Sequence, residues 1–362
     1  MRGLSTAPTL IAFGKGAFFM SVKKKPARRT VLQRVTLGLY IVAVALSLVV
    51  VVSFVALKLF APPPKVPDQV EFPLNTDSQT ENSPGAENTA EPPDGSDPPE
   101  TLVLTRREGV YTCLLLGKAD IGGSDTIMLG VFDTVGKTAS LVSIPRDTAT
   151  SYNGEYIKLG AAYSYGGADA VRQCVSEMLA VPIHYCVTVD TKAFREIVDE
   201  IGGVWFNVPP GMDYEDPTQD LYIHLAPGYQ KLNGEDALKL VRFRQGYIGQ
   251  DIDRTATQRA FLAALIKQTV TLSNVINIDR VNNLINILKT YVKTDMTVND
   301  MVFFGTQAVG MDPDTALTSA VLSANWVSPY ILPTEEEVLK LVNSLRIYEE
   351  EVPASVLRLA HP

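Results

Sequence analysis

The sequence predicts a three-layer α/β/α domain built on a mixed central sheet and preceded by a single N-terminal transmembrane helix. From residue 110 onward, short β-rich runs alternate with amphipathic helical segments, which is typical of a sheet covered by helices. Residues 35–57 carry no charged side chain, and a helix of that length spans about 30 Å of hydrocarbon. Residues 59–109, between these two parts, are rich in proline and acidic residues.

The charge distribution predicts the topology of the chain. Residues 1–60 hold nine Lys or Arg and no Asp or Glu, whereas residues 61–100 hold nine acidic side chains and one basic one. Because positively charged flanks stay in the cytosol, we expect a single-pass protein of the cell membrane. Its cytoplasmic N-terminus is predicted at 1–34 and its transmembrane helix at 35–58, with the remainder extracellular. The alternative is a cleaved signal peptide, whose apolar core would be only about 7–15 residues long.

The segment at 59–109 is predicted to be a disordered linker, because a chain dominated by proline and charge cannot bury a core. Proline stiffness and charge repulsion would keep such a linker extended. The globular domain is predicted at 110–346. Residues 347–362 are predicted to be a frayed C-terminal tail, since three consecutive glutamates are followed by a proline two residues later.

Composition excludes two classes of protein. Nucleic-acid binding needs a basic face that neutralises phosphates, and the part of the chain after residue 60 is acidic, so we expect no nucleic-acid partner. Cys113, Cys174 and Cys186 are too few for a disulfide scaffold. Their apolar contexts favour buried thiols, and a single bridge between Cys174 and Cys186 is the alternative.

Three β-rich runs open the domain, at 111–116, 126–132 and 139–144, with Gly, Asp and Ser turns between them. Residues 168–179 are predicted to be helical, because their apolar residues recur on one helical face. The later predicted elements, in chain order, are a strand at 184–189, a helix at 192–201, a strand at 204–208, a helix from the N-cap Asn233 to residue 240, a helix at 254–271, and helices near 275–290, 297–309 and 334–346.

Two acidic residues lie where the first strand ends and the second begins. Asp120 follows Gly117-Lys118-Ala119, and Asp125 stands in Gly123-Ser124-Asp125-Thr126. Two carboxylates on adjoining loop ends can hold Mg²⁺, which prefers hard oxygen ligands and completes its shell with water and phosphate oxygens. Ordinary turn chemistry is the alternative, since Gly, Ser and Asp are common in any β-turn.

An arginine and an aspartate follow the third strand. Pro145 ends that strand, so Arg146 and Asp147 lie at its exit, where the active sites of α/β sheets are commonly found. The planar five-donor guanidinium of arginine is well suited to phosphate. The alternative is an Arg146–Asp147 pair that only holds the loop in place.

The third candidate motif is Val241-Arg242-Phe243-Arg244. In an extended conformation Arg242 and Arg244 point the same way, whereas on a helix they diverge by roughly 200°. Two cations on one side repel each other unless an anion lies between them, so the extended form indicates an anion site. A solvated basic edge is the alternative.

These motifs resemble those of the LytR–CpsA–Psr family of cell-wall glycopolymer transferases. Six blocks occur in the family's order, strongly over residues 110–272 and more weakly to 346. They read LLLGKADIGGSDTIMLGVFD, LVSIPRDT, YIKLGAAYSYGGADAVRQCV, IVDEIGGVWFNV, LNGEDALKLVRFR and DIDRTATQRAFLAAL. The resemblance implies an α/β domain with a hydrophobic tunnel for a polyprenyl chain, opening on a pyrophosphate site with Mg²⁺.

The resemblance also implies roles for individual residues. Asp125 matches the metal-binding acid, and Asp120 is the nearest counterpart of its partner. The residues expected to bind the pyrophosphate are Arg146, Arg242, Arg244, Arg254, Lys158 and Gln258. The sequence departs from the family's pattern at Gly123, Gly160 and Thr257, where the family usually has Arg, Asn and Arg, and we expect weaker contacts at the rim of the site.

Cleavage of a lipid diphosphate needs positioning and charge neutralisation more than a protein nucleophile. With this chemistry, the resemblance implies a Mg²⁺-dependent phosphotransferase that moves a glycopolymer from a polyprenyl-diphosphate carrier to a peptidoglycan hydroxyl, the C6 hydroxyl of N-acetylmuramic acid. Arg146 would stabilise the reacting phosphate, and Asp251 or Asp147 would deprotonate the hydroxyl. The alternatives are a non-catalytic polyprenyl-phosphate-binding regulator of wall assembly and a hydrolase. The apolar segments 171–189, 197–206 and 261–266 either line the lipid tunnel or form ordinary core.

Overall fold

The computed structural model describes residues 62–74, 100–118, 122–217, 221–243, 251–269, 278–308 and 311–360. For residues 251–255, 278, 280–282, 285, 313 and 314 it describes the backbone alone. The cytoplasmic segment predicted at 1–34 and the transmembrane helix predicted at 35–58 lie outside these residues. Among the residues that are described, none of the helices combines the length and the hydrophobicity needed to cross a membrane.

The described part contains strands and helices with the following bounds. The strands are β1 (Gln69–Pro73), β2 (Thr101–Thr105), β3 (Val110–Lys118), β4 (Ser124–Asp133), β5 (Thr138–Ser143), β6 (Ala149–Tyr152), β7 (Glu155–Lys158), β8 (Tyr185–Val189), β9 (Val204–Val208), β10 (Asp213–Asp216), β11 (Leu221–His224), β12 (Gly228–Leu232), β13 (Val292–Thr294), β14 (Leu317–Val321), β15 (Asn325–Val327) and β16 (Tyr330–Leu332). The helices are α1 (Leu159–Leu179), α2 (Thr191–Glu200), α3 (Gly234–Arg242), α4 (Asp251–Thr269), α5 (Ile278–Tyr291), α6 (Val298–Ala308), α7 (Pro313–Ala316) and α8 (Glu335–Ser344), followed by a 3₁₀ turn at Ala354–Val356.

A six-stranded sheet in the order β13-β8-β3-β4-β5-β14 forms the centre of the fold. Strand β4 runs antiparallel to both of its neighbours, β3 and β5. β8 lies parallel to β3 and β14 parallel to β5, while the edge strand β13 is antiparallel to β8. The predicted α/β fold with a mixed central sheet is therefore confirmed.

The two faces of the sheet pack against different helices, because successive side chains of a strand point to opposite faces. Leu114 and Leu129 are opposite each other on β3 and β4, and both are fully buried in the main core cluster with residues of α1 and α8. Leu115 and Met128 are the next opposed pair, and they face a cavity on the other side, together with residues of α2, α3, α4 and α5.

A second core cluster joins α2, α3 and α4 to the two-stranded sheet β9–β12. Helix α3 begins after the predicted N-cap Asn233, whereas α2 begins one residue and α4 three residues before the predicted starts at 192 and 254. Asp190 caps α2 by accepting from Ala193 N at 2.7 Å, and Asn233 caps α3 by accepting from Asp236 N at 2.8 Å. Both caps satisfy backbone donors that a helix start leaves free.

The predicted linker at 59–109 is wrong at its two ends, and its middle, 75–99, lies outside the described residues. β1 and β2 pair antiparallel, and Phe72 and Leu104 are buried in the main core cluster. The reason is that the core-facing positions of both short strands are apolar, Val70 and Phe72 on β1 and Leu102 and Leu104 on β2, so each strand presents one apolar face to the core. The folded part therefore begins before residue 110.

The predicted frayed tail at 347–362 is also wrong. Tyr348, Val352 and Val356 are buried in the main core cluster, and Tyr348 Oη donates a hydrogen bond to Ala180 O at 2.8 Å. The apolar residues that flank the three glutamates anchor this segment, while the glutamates themselves stay exposed.

The long helix α1 begins nine residues before the predicted start at 168 and is kinked at Gly166–Gly167. The two glycines interrupt the apolar periodicity, which is why the first half was not predicted. The three cysteines are free thiols, and Cys174 and Cys186 are buried, so the prediction of buried thiols is confirmed for this pair and the alternative bridge does not form.

Candidate functional site

A cavity of about 400 Å³ lies on the face of the sheet opposite the main core. Strands β3, β4 and β8 form its floor, and α2, α3, α4 and α5 form its walls. Most of its surface is apolar. The large apolar side chains that line it include Leu115, Met128, Val187, Phe194, Phe261 and Leu265.

Charged and polar side chains also line this cavity. The charged and amide side chains are those of Lys118, Asp125, Asp190, Arg242 and Gln258, and Thr126, Thr191 and Tyr214 add hydroxyl groups. The sequence predicted Asp125, Arg242 and Gln258 as site residues, and the structure brings these three to one cavity. Lys118 and Asp190 were not predicted. Their positions at the ends of the neighbouring strands β3 and β8, which are parallel, are the signal that could have found them.

Arg146 and Asp125 form an ion pair between Nη1 and Oδ1. Asp125 is the second residue of β4, and Arg146 follows the end of β5, the antiparallel neighbour of β4. Their side chains are 33% and 38% exposed, so a ligand in solution can reach both. Arg146 Nε is buried and has no hydrogen-bond partner among the described residues, so this guanidinium keeps one unsatisfied donor.

Gly160 allows this close approach of β4 and the Arg146 loop. Its N–H donates to Arg146 O at 2.7 Å, and a Cβ added to it would lie 2.8 Å from Ser124 O and 3.0 Å from Arg146 Cβ. Gly123 has φ +75°, and a Cβ there would lie 3.1 Å from Gly160 O. The two departures from the family's pattern therefore fit each other, and a side chain at either position would push this part of the site apart.

Asp147 is paired with Lys158 at 2.9 Å between Oδ1 and Nζ. The alternative Arg146–Asp147 pair is not what forms, since each of these residues has a different partner. Asp147 O also accepts from Ile331 N at 2.9 Å, which ties the loop to β16. Lys158, the last residue of β7, therefore contacts a carboxylate in this structure, and its predicted contact with pyrophosphate stays a prediction.

The prediction that Arg242 lies in an extended segment is wrong. Arg242 is the last residue of α3, and Phe243 is the first extended residue after it. The helix continues this far because Asn233 caps it and Ala237, Leu238 and Leu240 bury one face. Arg242 still lines the cavity. Arg244 lies outside the described residues, so whether the two arginines converge stays a prediction.

Gln258 connects the strand that carries Asp125 to the helix that carries Arg242. Its Nε2 donates to Val241 O at 2.9 Å, and its Oε1 accepts from Thr126 Oγ1 at 3.4 Å. Asp251 and Arg254 lie on the first turns of the same helix, α4, and their side chains are not described. Asp120 lies outside the described residues.

The carboxylate of Asp125 is compatible with a Mg²⁺ site whose other ligands are water and substrate oxygens. No group of three or more His, Cys, Asp or Glu side chains in the described part of the chain is placed to hold a metal. Mg²⁺ is commonly bound by one or two carboxylates and otherwise by waters and phosphate oxygens. Asp125 lines the cavity and offers one such carboxylate.

The apolar segments divide between cavity and core. Phe261, Leu262 and Leu265, in the predicted segment 261–266, line the cavity. Segment 197–206 contributes Ile197, and segment 171–189 contributes only its last residues on β8. The helical part of segment 171–189 packs into the main core cluster on the opposite face of the sheet.

Several known proteins resemble this chain. The polyisoprenyl-teichoic acid–peptidoglycan teichoic acid transferase TagV of Bacillus subtilis (strain 168) is 33% identical over 190 residues, which are 49% of this chain and 49% of TagV. The match thus spans about half the length of that relative. The crystal structure of B. subtilis TagV superposes with a TM-score of 0.58 at 26% identity, covering 68% of this chain and 100% of the TagV chain. TagT bound to LIIa-WTA superposes with a TM-score of 0.56 at 26% identity, covering 66% and 90% of the two chains.

The match to a family model is longer than the match to TagV. The model of the LytR_cpsA_psr family matches residues 75–345, which include the central sheet, the cavity and every predicted site residue. The match begins before residue 110 and includes β2, which agrees with a folded part that begins before the predicted start. The chain therefore belongs to the LytR–CpsA–Psr family.

Proposed function

We propose that this protein is a phosphotransferase that moves a glycopolymer from a polyprenyl-diphosphate carrier onto a hydroxyl of peptidoglycan. One observation carries the proposal: an apolar cavity of about 400 Å³ is lined by Asp125, Arg242 and Gln258 as well as by aliphatic and aromatic side chains. A lipid diphosphate has the same two parts, an apolar chain and a charged head. The names of TagV and its structural relatives support the same class of substrate.

The residues at the charged part of the cavity suit transfer of a phosphoryl group. The acceptor hydroxyl oxygen forms a bond to the phosphorus that carries the glycan, and the bond from that phosphorus to the bridging oxygen breaks. Polyprenyl phosphate leaves, and the product is a phosphodiester. Arg146 and Arg242 stabilise the negative charge that develops on the leaving phosphate, as preorganised donors do in other phosphoryl transfers. Asp147 or Asp251 accepts the proton of the hydroxyl.

Asp125 and Asp120 would hold Mg²⁺, which supplies further neutralisation of the diphosphate charge. Because Asp125 is paired with Arg146, these two residues would have to separate when the substrate and the cation bind. The guanidinium then turns to phosphate oxygens, and the carboxylate becomes available to the cation. Arg244, Arg254, Lys158 and Gln258 are proposed as further contacts to the pyrophosphate.

The proposed location is the cell membrane, with the N-terminus in the cytosol and the domain outside. The uncharged segment at 35–57 and the basic residues before it support this topology. A carrier lipid is confined to the bilayer, so a membrane anchor would keep the domain close to its substrate.

The test is transfer by the full chain in vesicles that contain the lipid-linked glycopolymer, with uncrosslinked peptidoglycan as acceptor. Arg146→Ala is expected to slow polymer attachment by about 10²–10³-fold, the usual cost of removing one stabilising donor. Arg195→Ala is the matched control, because Arg195 forms an exposed ion pair with Glu235 away from the cavity. Attachment by Arg146→Ala at the wild-type rate would contradict the proposal.

The same assay separates the alternatives. Release of soluble glycopolymer phosphate without attachment would identify a hydrolase. Binding of the lipid without any turnover, in the presence of Mg²⁺ and acceptor, would identify a regulator of wall assembly.

A further inference from the structure

Two large aromatic side chains lie in solvent on the outer face of the β9–β12 sheet. This outer β9–β12 face consists of Trp205, Asn207, Tyr229 and Lys231, which are all exposed. Trp205 is 47% and Tyr229 72% exposed, and their rings stack with centroids 5.5 Å apart and planes 16° apart. An antiparallel sheet with one solvated face normally has polar residues on that face. A stacked Trp–Tyr pair there indicates an interaction surface.

The pair is held rigidly before any partner arrives. On one edge of β9, Trp205 is opposite Lys231 of β12. On the other edge, Gln268 of α4 accepts from Trp205 N at 2.9 Å and donates to Trp205 O at 3.1 Å. Both backbone groups of Trp205 are therefore fixed, so its backbone has little conformational entropy to lose on binding.

The outer β9–β12 face lies near the apolar end of the cavity. Helix α4 carries Gln258 and then Leu265, which both line the cavity, and Gln268 one turn later. At 1.5 Å per residue, Gln268 is about 15 Å along the helix from Gln258. Phe206, the neighbour of Trp205 on β9, packs on the cavity residue Phe261 with ring centroids 5.5 Å apart. A polyprenyl chain is larger than a cavity of about 400 Å³, so part of it must leave the protein.

We infer that the outer β9–β12 face rests on the membrane surface, with Trp205 and Tyr229 among the lipid headgroups and Lys231 beside their phosphates. This inference rests on the proposed function, in which the cavity holds a lipid that also extends into the bilayer. Tryptophan and tyrosine are enriched at membrane–water interfaces because their rings are apolar and their N–H or O–H groups are polar.

The charge of this face supports the same partner. Its four outward side chains include one cation and no carboxylate, although the whole chain has a formal net charge of −8. Lysine near a membrane is attracted to anionic lipids and can extend its ammonium toward the phosphates. A glycan strand would also stack on aromatic rings, but the acceptor hydroxyl has to arrive at the charged part of the cavity, about 15 Å away along α4.

The two tryptophans of the chain permit a matched test. Trp326→Phe leaves Trp205 as the single tryptophan, and Trp205→Phe leaves Trp326, which is 62% exposed on β15. Each full-chain variant is reconstituted into anionic vesicles whose lipids carry bromine just below the headgroups. We expect the emission of Trp205 to fall by about half relative to bromine-free vesicles, as for an interfacial tryptophan, and that of Trp326 to stay unchanged. In the Trp326→Phe background, Lys231→Gln is expected to weaken the quenching of Trp205.

Absent quenching of Trp205, or equal quenching of both tryptophans, would overturn the inference. So would a change of Trp205 emission that is caused by peptidoglycan fragments in bromine-free vesicles and is not accompanied by bromine quenching, which would instead identify a glycan surface. The measurement needs no turnover. Quenching with no transfer activity would contradict only the proposed function, and transfer with no quenching would contradict only this surface.

Discussion

Arg146 donates from Nη1 to Asp125 Oδ1, between the end of β5 and the start of β4. The arginine proposed to bind phosphate is therefore paired with the aspartate proposed to bind magnesium. Binding of phosphate and binding of Mg²⁺ should therefore favour each other, because each ligand binds one residue of the ion pair and releases the other. An ion pair exposed to this extent contributes at most about 1 kcal/mol. The ion pair is thus weak enough for a bound substrate to separate it.

This relationship predicts opposite effects of one substitution on two ligands. In Arg146→Ala, Asp125 no longer has its competitor, so the affinity for Mg²⁺ alone is expected to rise by up to about fivefold, the equivalent of about 1 kcal/mol. The affinity for a polyprenyl diphosphate is expected to fall. Isothermal titration with each ligand measures both changes, with Asp125→Asn as the control that lowers Mg²⁺ affinity. A fall in Mg²⁺ affinity in Arg146→Ala would contradict the competition.

Gly160 gives a second prediction, about the spacing of the site. In Gly160→Ala, the new Cβ would lie 2.8 Å from Ser124 O and 3.0 Å from Arg146 Cβ, so the backbone must shift. We expect a loss of about 1–3 kcal/mol in the free energy of unfolding, typical of overpacking, together with weaker binding of polyprenyl diphosphate. Urea denaturation and isothermal titration measure the two effects.

The matched control for this substitution is Gly305→Ala. Gly305 lies in α6 with no atom within 4 Å of an added Cβ, and alanine is favoured over glycine in a helix by about 1 kcal/mol. Gly305→Ala is therefore expected to keep or raise the stability and to leave ligand affinity unchanged. Equal behaviour of the two variants would show that the close approach at Gly160 has no consequence.

The four inner strands of the central sheet, β3, β4, β5 and β8, were predictable from sequence because they are rich in buried apolar residues, whereas the edge strands β13 and β14, which are partly exposed, were not predicted. Leu114, Leu115 and Leu116 form a continuous apolar run, which is typical of such strands. The short outer strands β10 and β11 mix exposed tyrosine and histidine with acidic residues, and no local pattern distinguishes them from loops. Strand β1 was missed for a different reason, since prolines around it hide a short alternation of apolar residues.

The candidate site was predictable in its residue types and less so in its pairing. Sequence places Arg146 at a strand exit, but its partner Asp125 is set by the register of β4 against β5, which depends on tertiary contacts. Arg242 shows the reverse case. Its alternation with Phe243 and Arg244 suggested a strand, whereas the cap at Asn233 and the buried face of α3 extend the helix through it.

His184 predicts a dependence of stability on pH. Burial, and secondarily Arg106, lower its pKa from 6.5 to about 4, and its Nδ1 accepts from Thr112 N at 2.9 Å. The folded protein therefore keeps this ring neutral, while the unfolded chain takes up a proton below pH 6.5. Stability from this group is complete above pH 6.5 and is lost as the pH falls toward 4, by up to about 1.4 kcal/mol per pH unit.

The check is urea denaturation at pH 7 and pH 5 of the wild type and His184→Asn. The amide oxygen of asparagine can accept from Thr112 N in place of Nδ1, and it does not titrate. We expect the variant to lose less stability than the wild type between the two pH values, while carboxylates affect both proteins alike. The same loss in both proteins would show that His184 does not titrate differently in the folded and unfolded states.

The substitution Tyr348→Phe measures how much the hydrogen bond between the C-terminal segment and α1 contributes to stability. Its Oη donates to Ala180 O at 2.8 Å between buried groups, and Ala180 is the left-handed residue that ends α1. Tyr348→Phe leaves that carbonyl without its donor, which is expected to cost about 1–3 kcal/mol of unfolding free energy. Tyr222→Phe is the control, because Tyr222 is 44% exposed and exposed substitutions usually stay within about 0.5 kcal/mol. Chemical denaturation compares the two, and equal stability of both variants would mean that this hydrogen bond contributes little to the stability of the folded domain.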